Sequence, residues 1–287
     1  MANFEYWGLD RESSPQTQIS TDYLMMNRCS ETGMPVLRMY CYPEETIVLG
    51  RHQHPGIIRE GKFDTIRRYT GGTATLEKPD DLCWAVAFPI VPNGHKNPLT
   101  GKTYYGNKVA KSLSYHGLVA VSDPASSTIQ INGRVVGGYA TCMKECIALI
   151  HGNIVITPFD AEKIDRTIHL RERVVRDITY AEKDAIDRIP ALSKRKNGIS
   201  MTDVAEKLLD SMTGGCYIQN TPNSSAVKEL ETFHRTDDWV LDGRHVDNVV
   251  ALGEESFRRM LNRTGHCFYC EVGDDDFAMM ASDDFYS

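Results

Sequence analysis

The chain has 287 residues, 41% hydrophobic and 25% charged, with a formal net charge of -7, long enough to bury a large core without disulfide or metal staples. That composition excludes fibrous and disordered classes, and the acidic balance argues against a nucleic-acid partner held on a broad basic face. No run approaches the roughly 18 apolar residues of a membrane span, and the opening MANFEYWGLDRESS lacks the basic start and apolar run of a secretory signal, so a cytoplasmic protein with no nucleic-acid and no membrane partner is expected.

Residues 17–30, TQISTDYLMMNRCS, carry Leu24, Met25 and Met26 on an apolar stripe and read as a helix opened by Ser20 or Thr21. VLRMYCY alternates like a strand, and TIVLG is a short apolar run ending in glycine. The stretch TIRRYTGGTATLEKPDDLCWAVAFP, residues 65–89, sets two arginines and a Gly-Gly pair between two strand-like runs; LCWAVAFPI is apolar nearly throughout, as a strand buried on both faces would be. Residues 105–117, YGNKVAKSLSYHG, predict a helix with Val109, Leu113 and either Tyr115 or His116 inward, closed by Gly117. STIQING and RVVGGYAT form a hairpin pattern hinged at Asn132-Gly133, and CIALIHGNIVI supplies two strand-like runs around His151-Gly152.

Beyond residue 160 the texture turns helical and charged. Ser200 and Asp203 are placed to cap a helix in ISMTDVAEKLLDSM, Pro190 with SKRKNG and later NTPNSS mark loops, and the acidic tail from residue 273 reads as a frayed end. The expected organisation is therefore an N-terminal sheet followed by helices. Eight cysteines are scattered, as in reduced thiols. Cys142 with Cys146 and Cys267 with Cys270 are local pairs, but one C-x-x-C is half of a tetrahedral zinc site, so no metal is assigned.

The chemistry concentrates at Arg67, Arg68, Gly71 and Gly72. Glycines let backbone N–H groups approach a ligand and permit the positive φ of an anion nest, and guanidinium forks suit phosphate or carboxylate. The alternative is a hairpin turn flanked by solvated arginines.

Four segments in register, YCYPEETIVLGRHQHP, IRRYTGGTATLEKPDDLCWAVAFP, INGRVVGGYAT and LIHGNIVI, resemble the signature segments of the lipoate–protein ligase and octanoyltransferase family, itself related to biotin–protein ligases. ETFHRTDDWVLDG looks like the closing segment of that catalytic domain. The resemblance implies an α/β (α+β) fold, a class II synthetase-like mixed sheet with flanking helices. It implies a catalytic domain over residues 1–240 and leaves 241–287, a pattern of one helix and a short strand, as a small extension without an assigned role. It further implies transfer of a lipoyl or octanoyl group to a lysine of a lipoyl carrier domain protein, with lipoate or octanoate as the small-molecule acyl ligand and with ATP and Mg if the protein is a ligase. By the same resemblance Arg68, Gly71, Gly72 and Thr73 line the carboxyl or phosphate end of the ligand, with Arg67 beside them, Gly138, Tyr139 and Ala140 lie across from them, and His151 and Gly152 close the acyl slot.

The chain also departs from the pattern. The family's lysine, three residues before Gly138, is here Val135. Arg134 is expected on the opposite side of the strand unless a bulge intervenes, and Lys144 reads as a solvated surface residue. Ser126, Ser127 and Thr128 stand where ligases carry an Asn-Asp pair that helps hold magnesium, residues 118–126 offer no cysteine nucleophile, and Thr73 replaces a third glycine. Two readings stay open: an acyl-transfer enzyme with altered active-site residues, or a catalytically silent relative that binds an acyl or nucleotide ligand or a partner protein.

Overall fold

The computed structural model describes residues 3–51, 53, 58, 63–72, 74–90, 98–157, 199–236 and 239–240. Thr73, Pro190 with SKRKNG, the Cys267 and Cys270 pair and the 241–287 extension lie outside the described residues.

The main element is an eight-stranded mixed sheet. Its centre is LCWAVAFP, β6 (Leu82–Pro89), flanked by β2 (Val36–Tyr40) and β10 (Ile147–Ile154), both antiparallel to it. Beyond β10 come β9 (Arg134–Lys144), β8 (Thr128–Ile131) and the edge strand β7 (Ala120–Asp123); beyond β2 come β1 (Phe4–Asp10) and the edge strand β11 (Tyr217–Gln219), both joined in parallel. A small second sheet orders β4 (Asp64–Arg67), β3 (Thr46–Leu49) and β5 (Thr75–Glu77).

Both faces of the large sheet are covered, which is why β6 carries no polar alternation. Trp84, Val86 and Phe88 pack on one side beneath α2 (Pro98–Ser114) and α3 (Met201–Thr213), while Cys83, Ala85 and Ala87 face α1 (Pro15–Thr32). The last described helix, α4 (Ser224–His234), packs against α1.

Local signals explain the boundaries. α1 begins at Pro15, with Ser14 Oγ accepting from the Thr17 amide, and not at Ser20 or Thr21: Pro at the first helical position gives up no hydrogen bond, and Ser14 is the cap. α2 holds Val109 and Leu113 fully buried, leaves Tyr115 outside and exposed, and is followed by Gly117 at φ +72°. α3 has the expected capping box of Ser200 and Asp203. The runs around His151-Gly152 are one continuous strand, and the helical second half also returns a strand, β11, to the sheet.

One buried carboxyl gives this core a pH dependence. Asp81, in the turn before β6, accepts from the Ile156 amide at 3.0 Å and lies 3.7 Å from Lys78 Nζ, and burial pushes it up to about 7. An unfolded aspartate titrates near 3.9, so the folded state binds the proton more tightly, and this contribution to stability is lost as pH rises from about 4 to about 7. The expected result is that Asp81→Asn removes that slope from the urea midpoint measured against pH; parallel curves for wild type and variant would refute it.

Candidate functional site

The turn after β4 sits on the α1 side of the large sheet and is braced by its own two arginines. Arg67 is 2% exposed. Its Nη1 donates to the carbonyls of Gly50, Arg51 and Gln53, and its Nε and Nη2 to those of Trp239 and Val240. Arg68, also buried, donates to the Val48 and Gly71 carbonyls and, through Nε, to Thr70 Oγ1 at 3.0 Å. Burial draws Arg68 down to about 10, so it stays a cation at neutral pH. Both forks therefore grip the protein's own backbone, a correction to the expectation that they face an anion.

Of Gly71 and Gly72, only Gly72 takes the positive φ that a glycine pair permits. Gly72 adopts φ +89°, the left-handed backbone of an anion nest, and among the described residues nothing accepts a hydrogen bond from either amide. The turn rests on another glycine, since a Cβ added at Gly50 would lie 1.9 Å from the Gly72 carbonyl oxygen.

Behind the turn runs a buried proton-ordered chain. Arg38 holds Asp22 at 2.7 Å and closes on Gln18 through its side-chain and backbone oxygens. Burial alone would raise the Asp22 carboxyl, but Arg38 and His151 outweigh it and the net shift is downward. An ionised Asp22 only accepts, so His151 Nδ1–H donates to it across 2.9 Å. His151 Nε2 then accepts from the Thr70 hydroxyl at 2.5 Å, and Thr70 in turn accepts from Arg68. Each member has a partner, and Thr70 is 0% exposed. His151 thus acts as a strut beneath the turn, with both ring nitrogens engaged.

The strands across from the turn divide by face. Ala140 pairs with His151 and shares its face. The Gly138 amide is consumed by Asn153 Oδ1, while Asn153 Nδ2 donates to the Glu77 carboxylate at 3.0 and 3.2 Å. Tyr139 points to the other side, into the core with Trp84, where its hydroxyl meets Ser122. Gly152 makes room for it, because a Cβ there would come within 2.7 Å of Tyr139 Cβ and 2.3 Å of the Gly138 oxygen. Gly138, Tyr139 and Gly152 are therefore packing positions in this geometry.

Val135 lies opposite Gln130, and Arg134 lies opposite the core residue Ile131, so the two face opposite sides. The ladder does contain a bulge, but it falls after Val135 and leaves Arg134 where alternation puts it. Val135 is 36% exposed. Lys144 is not a solvated surface residue: Nζ bonds Tyr23 Oη at 2.8 Å and Asn27 Oδ1 at 3.0 Å. Cys142 sits on the site face as a thiol, pushed up to about 12 by burial, which removes thiolate character at neutral pH.

The far end of the chain clamps the turn. Trp239 Nε1 donates to the Arg67 carbonyl at 3.0 Å, and the Tyr69 hydroxyl meets His234 Nε2 at 2.5 Å. Ser20 donates to the Gln16 carbonyl, so it accepts from His234 Nδ1–H; burial drops His234 to about 4, which keeps it neutral. Sequence reading missed Asp22, Thr70, Glu77 and Asn153, none of which carries a local signal.

Among the described residues no helix is long and apolar enough to cross a membrane. Among solved structures, the chain is similar to lipoate-protein ligase A bound with ATP (16% identity, TM-score 0.69, covering 83% of this chain and 98% of that one). It is similar to the bipartite lipoate protein ligase of Thermoplasma acidophilum, described together with its E2 lipoyl domain (18% identity, TM-score 0.69, 83% and 96%). It is also similar to LipL1 of P. falciparum in complex with lipoate (14% identity, TM-score 0.65, 82% and 74%). Octanoyltransferase LipM of Staphylococcus aureus is 23% identical over 277 residues, 82% of this chain and 98% of that protein. A family model described as the lipoyl protein ligase A/B catalytic domain matches residues 14–213, which span α1, the glycine turn, the β8–β9 hairpin and α3. With that match over most of its length, the chain belongs to the lipoyl protein ligase A/B catalytic domain family.

Proposed function

We propose that this protein transfers a lipoyl or octanoyl group to a lysine of a lipoyl carrier domain. The observation that carries the reading is the Gly71-Gly72 turn, whose amides have no acceptor among the described residues although every brace around them is engaged. Preorganised amides stabilise charge that develops on an acyl carbonyl oxygen, because they need no reorganisation during the reaction. In the transfer the carrier lysine Nζ forms the new C–N bond as the bond from the acyl carbon to its donor breaks, and the lysine proton leaves with the donor. The bonds from Trp239, Val240 and His234 to the turn support a catalytic domain reaching residue 240, beyond the 213 of the family match.

ATP phosphates would be received by the Gly71 and Gly72 amides. Among the described residues no three His, Cys, Asp or Glu side chains converge as a protein-only metal site needs. The test is mass spectrometry of a carrier domain after incubation with lipoate or octanoate, ATP and magnesium, and in parallel with the preformed acyl-adenylate. A gain of one acyl group supports the reading, and no gain in either arm removes it.

Val135, an apolar residue exposed where the family resemblance expects a lysine, favours a second reading: a silent relative that binds the acyl ligand. The two separate on one variant. In the enzyme Val135→Lys is expected to speed transfer about tenfold or more, the scale of one added charge-stabilising group; in a binding protein the carrier mass stays unchanged with either residue.

A further inference from the structure

The cations on the site face are committed one after another. Arg38 closes on Asp22 and Gln18, Arg67 on the carbonyls of Gly50, Arg51, Gln53, Trp239 and Val240, and Arg68 on Val48, Thr70 and Gly71. Lys144 is held by Tyr23 and Asn27, and Lys78 by Thr157. The Arg51 side chain, half-buried, has no hydrogen bond or ion pair among the described residues.

Its backbone is nevertheless fixed against the turn. The Arg51 amide donates to the Thr70 carbonyl at 2.9 Å, its own carbonyl accepts from Arg67 at 3.0 Å, and the preceding Gly50 packs on the Gly72 carbonyl. Its positive charge acts on the Cys142 thiol and the Tyr69 hydroxyl, both on the site side of the large sheet. A rigid base and an uncommitted planar fork are what bidentate recognition of an anion requires, and neutral amides alone leave a half-desolvated anion undercompensated.

We propose that Arg51 binds the anionic head of the acyl ligand, carboxylate or phosphate, together with the Gly71 and Gly72 amides. This rests on the acyl-transfer reading above and names the cation of that site. The guanidinium pairs with two oxygens of the head while the amides take the third contact, and the apolar chain extends away from the charge.

The test is calorimetric titration of the full chain with octanoate, octanoyl-AMP and the neutral analogue octanamide, for wild type and Arg51→Met, with urea midpoints as a fold control. Arg51→Met is expected to weaken the charged ligands about tenfold or more while octanamide changes less than about twofold. Loss confined to octanoate assigns the carboxylate as the head, and loss confined to octanoyl-AMP assigns the phosphate. If Arg51→Met lowers the urea midpoint, Arg51→Gln repeats the comparison with a polar side chain. Charged ligands bound equally by wild type and variant overturn the assignment of Arg51 alone. A wild-type protein that binds none of the three overturns the acyl-transfer reading and this inference with it.

Discussion

Asp22→Ala is expected to lower the free energy of unfolding by about 3–5 kcal/mol, the cost of leaving a buried charge without its partner. Asp22 and Arg38 are 1% and 2% exposed and 2.7 Å apart, so water does not reach the stranded guanidinium. The same change removes the acceptor that orients His151, and through Thr70 the effect reaches the glycine turn. Urea unfolding of Asp22→Ala, Arg38→Met and the double variant measures it. The double variant is expected to lose less than the sum of the singles, because both charges leave together. Strict additivity would show that the pair does not act as a unit.

Gly50→Ala is expected to cut acyl transfer about 100-fold, the penalty for displacing a positioned group by about 1 Å, while the protein remains folded. The added Cβ would sit 1.9 Å from the Gly72 oxygen and 3.0 Å from its carbon. Both are backbone atoms, so no rotamer relieves the contact and the turn itself must move. Transfer rates onto a carrier domain and octanoate affinity should fall together for Gly50→Ala. Equal rates for Gly50→Ala and wild type would show that the turn does not hold the ligand.

The fold was legible where a signal is local. Continuous apolar character marked β6 as buried on both faces, Asn132-Gly133 marked the β8–β9 hairpin, and Ser200 with Asp203 marked the start of α3. β1 escaped because Gly8, at φ +84°, breaks its pattern and the register slips between Tyr6 and Leu9. β11 escaped because it is three exposed residues whose strand character comes only from pairing with β1. α4 was hidden behind NTPNSS, in which Asn223 is its cap and not part of an extended loop.

At the site, the sequence by itself determined that a Gly-Gly turn with two arginines would stand between strands, because positive φ and bare amides are properties of glycine alone. It could not determine where the guanidinium donors go. A fork aimed at a ligand and a fork aimed at main-chain carbonyls have the same spelling, and of the carbonyls that claim Arg67 those of Trp239 and Val240 come from a segment 172 and 173 residues later in the chain. Tertiary structure decided this, and with it the strut of Asp22, His151 and Thr70 drawn from a helix, a strand and a turn. The physical reason is that a buried donor must be satisfied by whatever acceptor the fold brings near, and only the folded chain fixes which acceptor that is.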